Sequence, residues 1–331
     1  MKKNYVILIV LVALVVFGAI RYDNFISAYN VTSFWRYNSM FALISIGMCF
    51  VIITGGIDLS VGTVAAMASV VSALVSPYGA TFAVIAGALS GLVVGVVNGL
   101  IITRLRILPF ITTLATSLAA HGIALLLGHN DAVAISAESG FAVFGQGDLL
   151  GLPIPAWVSL IAFAIAIVAL GYSRFGRHAL AAGGSEEAAR LMGLNIDRLL
   201  VVVYAVSGLL AGLAGVILAS QFGAGQPNEG LGWELFAISA VVLGGTLLTG
   251  GEGSIGMTIA GVTLLGLVFN MLNFENGMGL ISLSAYWQSV IRGVFLLVVI
   301  ILQARALKKG PLPKDELAAN AAVQPGSPAG K

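Results

Sequence analysis

Charged side chains are scarce: 9% of the 331 residues are Asp, Glu, Lys or Arg, against about a quarter in a soluble domain. So little charge cannot cover a water-soluble globule, and a mean hydropathy of +1.03 places the chain among membrane proteins. Cysteine occurs once, at Cys49, which excludes an intrachain disulfide. The three histidines, His121, His129 and His178, have no ligand spacing with an acid or with the cysteine, so no metal site is expected. A Gly-x-Ser-x-Gly nucleophile turn is missing. The one Gly-Lys pair, Gly330-Lys331, has no following Ser or Thr and makes no phosphate loop. These absences predict no catalytic residue, no cofactor bound by this chain and no nucleic-acid partner, and leave the lipid bilayer as its surroundings.

Glycine, by contrast, is abundant at 42 residues and scattered through apolar runs, the pattern of closely packed transmembrane helices. Apolar segments of spanning length fall near 5–20, 39–54, 59–76, 80–103, 110–128, 153–171, 199–221, 235–250, 253–274 and 285–303, each needing roughly 20 residues to cross. The expectation is an all-α polytopic membrane protein with about ten transmembrane helices, some short or broken. No small-x-small cleavage site follows the first run, so it reads as a retained span. Starting with the N-terminus in the cytoplasm, the retained loops collect thirteen Lys and Arg, while only Arg21 and Arg36 fall outside. That asymmetry supports cytoplasmic N- and C-termini. Residues 1–306 read as one transmembrane domain and 307–331, rich in Ala, Pro, Gly and Lys, as a disordered cytoplasmic tail.

The most informative stretch is Thr54-Gly-Gly-Ile-Asp-Leu-Ser-Val-Gly62. Here Gly55, Gly56, Asp58, Ser60 and Gly62 interrupt an apolar run. In a bilayer a broken helix must have its freed backbone groups satisfied by protein or by a water-filled cavity, so this stretch marks a pathway. A weak echo, Thr249-Gly-Gly-Glu-Gly-Ser-Ile-Gly256, follows another apolar run, and transporters are often built from repeats with breaks at matching places. Asp58 and Glu252 are the acids at span ends, and Arg292 is the base within a span. Each reads either as functional or as structural, the two acids as caps of the helices that restart after their turns. Among uncharged polar residues inside spans, Asn98, Thr112, Thr113, Asn270, Asn273 and Gln288 are of the kind a hydroxylated solute would meet. They are equally the kind that bond one helix to another. Gly87, Gly91, Gly95 and Gly99 recur every four residues on one helix face, with a looser set at Gly208, Gly212 and Gly215. They predict close backbone approach, within the subunit or between two subunits.

The longest cytoplasmic loop, 172–198, carries Gly183-Gly-Ser-Glu-Glu-Ala-Ala-Arg-Leu-Met-Gly-Leu-Asn195. Ser185 suits an N-cap, Glu186 and Glu187 suit the positive end of a helix, and Gly193 suits a stop. The spacing predicts about two turns over 186–192, with Ala188 and Ala189 forming a small face able to enter a partner's groove.

The signature at 54–62 resembles that of the membrane-spanning permease subunits of bacterial ABC importers for monosaccharides, of the ribose, xylose and galactofuranose type. The resemblance extends from about residue 30 to 303. Its further marks are Val97-Asn-Gly-Leu100, Leu108-Pro-Phe-Ile-Thr-Thr-Leu114, Arg174-Phe-Gly-Arg177, the 183–193 loop and Gly244-Gly-Thr-Leu-Leu-Thr-Gly-Gly251. Glu252 and the long stretch 273–285 depart from the ribose-type pattern. The resemblance implies a multi-pass subunit of the bacterial inner membrane. It also implies that Glu186, Glu187, Ala188, Ala189 and Gly193 meet a cytoplasmic ABC ATPase, which binds ATP and Mg. Its remaining implied partners are a second permease copy or paralogue and a periplasmic sugar-binding protein. An alternative reading is an ion-coupled secondary transporter in which Asp58 and Glu252 carry the ion.

Overall fold

The computed structural model describes residues 4–277 and, beyond them, the helical positions Trp287, Val290, Ile291, Gly293, Val294, Leu297 and Ile301. The expected span 285–303 thus lies largely outside the described residues, as do Gln288, Arg292 and the tail 307–331. The described chain is helical: α1 (Asn4–Arg21), α2 (Ala28–Ile53), α3 (Val61–Val75), α4 (Ala80–Arg104), α5 (Pro109–Leu127), α6 (Ala142–Gln146), α7 (Ile154–Tyr172), α8 (Arg174–Gly184), α9 (Glu186–Leu191), α10 (Ile196–Phe222), α11 (Trp233–Leu243) and α12 (Ile255–Gly277). Two-residue strands close the loops at one end, β1 (Val133–Ala134) on β4 (Ala224–Gly225) and β2 (Asp148–Leu149) on β3 (Leu152–Pro153), both antiparallel.

Among the described residues, seven helical segments are long and apolar enough to cross a membrane by length and composition, and α1 and α11 are shorter apolar helices. Two expected boundaries are corrected. The span placed at 39–54 is the second half of α2, which starts at Ala28 where Ser27 Oγ accepts from the Asn30 N–H at 3.2 Å. Polar residues in its first half, including Asn30, Arg36 and Asn38, dilute the apolar signal there. The span placed at 235–250 is only the 11-residue α11, about 16 Å long at 1.5 Å per residue and so about half of a hydrocarbon core. It stops at Gly244 because Gly245, at φ 86°, turns the chain away.

α10 is the central post. It packs on α2, α3 and α4, and its 27 residues span about 40 Å. Its contact with α4 is a glycine seam: a Cβ on Gly91 would strike the Gly208 carbonyl, and a Cβ on Gly95 the Tyr204 carbonyl. The four-residue glycine repeat is therefore used inside the subunit. With no side chains between them the two backbones touch, and dispersion between close-packed helices replaces the hydrophobic effect that lipid cannot supply.

Two non-helical segments enter this bundle from opposite ends. Residues 54–60 follow α2 from the end that carries α8 and α9. Residues 223–232 follow α10 from the end that carries β1 and β4, and run along α3, where the Gln226 N–H donates to Ser69 Oγ at 2.9 Å. The second segment meets the first turn of α3 where Gly62 faces the Gly230 carbonyl with no room for a Cβ. The N-termini of α3 and α11 therefore converge inside the bundle, which is the broken-helix geometry expected where a membrane protein keeps polar backbone at depth.

Candidate functional site

The break after α2 is shaped by its own residues. Thr54 Oγ1 donates to the Val51 carbonyl at 2.8 Å, and Gly55 at φ 80° reverses the chain. Ile57 and Leu59 pack on the main core and carry Asp58 inward with them, to 1% exposure. Asp58 Oδ1 accepts from the Ser60 N–H at 3.0 Å and the Ser60 hydroxyl at 2.6 Å, and Oδ2 accepts from the Ser207 hydroxyl of α10 at 2.8 Å. Asn98 of α4 donates to Ser60 Oγ at 3.0 Å. From α5, Thr113 Oγ1 accepts the Leu59 N–H at 3.1 Å and lies 3.2 Å from the Ile57 carbonyl. Three helices thus fasten one short segment, and the freed backbone and the carboxylate are satisfied by protein.

Asp58 therefore closes the turn ahead of α3 and does not cap the helix. The N-cap position is taken by Ser60, which makes no side-chain cap bond. Glu252 does not cap α12 either: Ser254 Oγ accepts from the Met257 N–H at 3.3 Å, and Glu252 is exposed in its glycine turn. The two acids on which the ion-carrier alternative depends sit in unlike surroundings, one sealed in the bundle and one open.

Several buried polar atoms around the break have no partner among the described residues: Asn98 Oδ1, Thr112 Oγ1, the Tyr204 hydroxyl and Glu234 Oε2. Tyr204 stands against Gly56, and Glu234 against Gly62. Sequence reasoning misses Ser207 and Tyr204 because each is a lone polar residue in an apolar helix, and Glu234 because it falls just ahead of the apolar run at 235–250; the pairing of Ser207 with Gly208 is the available signal. Of the solute-contact set, Asp58, Asn98, Thr112 and Thr113 gather on or beside the break. Asn270 and Asn273 lie elsewhere, on α12, lining a cavity at the opposite end from α9. Asn270 exchanges amide hydrogen bonds with Asn30 at 3.2 and 3.0 Å.

The 172–198 loop folds as α8 and α9. Ser173 and Ser185 cap them, accepting from the Gly176 and Ala188 N–H groups at 3.2 Å, and Gly193 at φ 83° ends the second. Ala188 is exposed, but Ala189 is fully buried against the bundle, so the small face is divided. The outward apolar tip is Leu191 and Met192, 84% and 68% exposed. Arg190 pairs with Glu186 at 2.9 Å and with Asp197 at the start of α10, and Asp197 also pairs with Arg106 at 3.5 Å. Hydrogen bonds donated to Asp197 first and to Glu186 second hold the Arg190 guanidinium above its ordinary pKa.

α8 and α9 both border the break. A 310 Å³ cavity is lined by Thr54, Gly55 and Gly56 on one side and by Glu186, Arg190 and Asp197 on the other. At the end of α8, a Cβ on Gly183 would land on the Ile53 carbonyl, which also accepts the Gly251 N–H at 2.9 Å. The two Thr-Gly-Gly turns are therefore neighbours, with Gly183 wedged against both.

The sequence matches, over residues 30–300, the family described as branched-chain amino acid transport system / permease component. It is 40% identical to a ribose import permease protein of Bacillus subtilis over 295 residues, 88% of this chain and 90% of that one. It is 40% identical to an L-arabinose transport system permease protein of Escherichia coli over 300 residues, 90% of this chain and 89% of that one. A ribose import permease protein of Escherichia coli is 36% identical over 306 residues, 91% and 92% of the two chains. No solved structure matches.

Proposed function

The chain belongs to this family of transport permease components, and from that premise we propose that it is the membrane-spanning subunit of an ATP-driven ABC importer for a monosaccharide. It is a multi-pass protein of the bacterial inner membrane. The family's description names branched-chain amino acids, whereas the relatives at 36–40% identity are named for ribose and L-arabinose, and the reading of a monosaccharide, pentose or hexose, follows the relatives. In this reading residues 1–306 form the permease domain, with about ten spans and both termini cytoplasmic, and 307–331 form a tail. A periplasmic binding protein delivers the sugar, a second permease copy or paralogue completes the pathway, and two cytoplasmic ATPases bind ATP and Mg and supply the energy. The chain binds no cofactor of its own.

The observation that carries this reading is the wiring of the cytoplasmic loop to the broken helix. α9 presents an exposed tip to the cytoplasm while its Arg190 is paired to α10, and α8 ends on the carbonyl at which α2 breaks. A push on α8 and α9 is thereby delivered to the turn that starts α3. Transport of this kind needs a two-state helix arrangement biased from outside the membrane, and these contacts are where such a bias would enter. The secondary-transporter reading has no comparable support, since Glu252 is exposed while Asp58 is enclosed by hydroxyl groups.

The test is reconstitution of the chain with its ATPase and binding protein in vesicles, with labelled D-ribose, L-arabinose, D-xylose, D-galactose and L-leucine as probes. Uptake of at least one sugar that requires ATP is expected. Uptake driven by an ion gradient without ATP, or uptake of leucine alone, would overturn the reading.

A further inference from the structure

The cavity beside the buried break is about 310 Å³ and is lined by the charged Arg106, Glu186, Arg190 and Asp197, whereas the opposite end of the bundle carries a cavity of about 630 Å³ between α2, α10, α11 and α12. That is the size range of small-molecule sites. Its floor is aromatic. Phe41 of α2 and Phe236 of α11 lie with ring centroids 4.3 Å apart, and Phe269 of α12 lies 6.0 Å from Phe236. Its wall carries Tyr37 and Asn38 of α2, Glu229 of the 223–232 segment, and Asn270 and Asn273 of α12.

We propose that this cavity is a monosaccharide-binding subsite of the permease itself, taking the sugar after the binding protein releases it; the proposal rests on the importer reading above. The chemistry selects the ligand class. A sugar ring has an apolar C–H face that packs on aromatic carbon and a rim of hydroxyls, each able to donate to a carboxylate or amide oxygen and accept from an amide N–H. Among the described residues the lining supplies both kinds of surface and no Lys or Arg. A carboxylate or phosphate solute would find no cationic partner among these described residues, so a branched-chain amino acid or a sugar phosphate fits them worse than a neutral sugar. Below the floor, Trp233 packs on Phe41 at 4.9 Å, and the converging N-termini of α3 and α11 follow. The subsite thus sits above the closed break, where a solute would wait for the bundle to open.

Single cysteines report on this directly, because the native Cys49 is fully buried. Ser33→Cys on α2 and Asn273→Cys on α12 put an exposed thiol on two different walls of the cavity, and Glu138→Cys places one outside it. Labelling by an impermeant maleimide is followed in vesicles holding the complete importer, with each of the four sugars above as competitor. At about twice its dissociation constant, an imported sugar should slow both cavity cysteines about threefold, the factor 1 + [L]/Kd, and leave the Glu138→Cys rate unchanged. If an imported sugar changes neither cavity rate, slows all three equally, or if neither cavity cysteine labels at all, the subsite is overturned while the importer reading stands. If the unmodified importer takes up none of the four sugars, the importer reading falls and the subsite with it.

Discussion

The two Thr-Gly-Gly turns begin alike and end in opposite environments. Thr54-Gly-Gly is followed by Ile57, Asp58 and Leu59, and Thr249-Gly-Gly by Glu252 and Gly253. The turns lie side by side, with the Gly251 N–H bonded to the Ile53 carbonyl. After the first, two apolar side chains flank the acid and dock on the core, so the chain goes inward and Asp58 is enclosed by Ser60 and Ser207. After the second, the acid is followed by a glycine with nothing to bury, the chain stays at the surface, and Glu252 is exposed. An acid near the end of an apolar run is therefore not in itself an intramembrane acid. Its apolar neighbours decide whether it is carried to depth.

Removing each acid in turn should break the comparison most visibly. Asp58→Ala leaves the Ser207 and Ser60 donors facing a void, and unpaired buried donors of this kind cost about 2–4 kcal/mol in total. A lower Tm in detergent and lost sugar uptake are expected. Glu252→Ala removes an exposed side chain and should leave both near the unsubstituted values. Equal Tm losses in the two variants, measured by thermal unfolding of the purified subunit, would show that the turns are equivalent and the contrast drawn here is wrong.

A smaller effect separates two adjacent glycines at the node where the turns meet. A Cβ on Gly183 collides with the Ile53 carbonyl, while one on Gly184 meets nothing within 4 Å. Gly183→Val should force α8 off the turns at a cost of about 1–3 kcal/mol, the usual range for overpacking. ATP hydrolysis should continue without proportionate uptake. Gly184→Ala should behave as the unsubstituted protein. Coupled uptake at an unchanged ratio to ATP hydrolysis in Gly183→Val would remove the node from the transmission path.

How much of this was legible beforehand follows the range of the interactions. The glycine spacing of α4 and the Ser185 and Gly193 signals of α9 are local, and the sequence displays them directly. The first half of α2 was missed because Asn30, Arg36 and Asn38 look too polar for a span. Asn30 is paired to Asn270 and Arg36 to Asp148 at 2.7 Å, partners 240 and 112 residues away that no window along the chain can contain. α11 was read too long because its apolar run continues past Gly244, and only the second turn's docking on α2 shows where the helix ends. At the break, the sequence identified Asp58 and Ser60 but not Ser207, which meets them from 149 residues away.

The smallest effect is the most discriminating. Asp58→Asn keeps one oxygen to accept from the Ser60 N–H and hydroxyl, and its new amide N–H can donate to Ser207 Oγ once that hydroxyl rotates to accept. The Ser60 donors stay paired and Ser207 keeps one bond to residue 58, so the cost should be about 1 kcal/mol, the net worth of one altered hydrogen bond. Uptake should remain close to normal. A carrier carboxylate behaves otherwise: an amide cannot exchange a proton or balance a sodium ion, so Asn would be as inactive as Ala. Uptake of labelled sugar by Asn and Ala variants in vesicles holding the complete importer, normalised to subunit content, separates the two. An Asn variant that unfolds normally but transports no better than Ala would mean that the charge at this break does work, and the first turn would then differ from the second in mechanism as well as in burial.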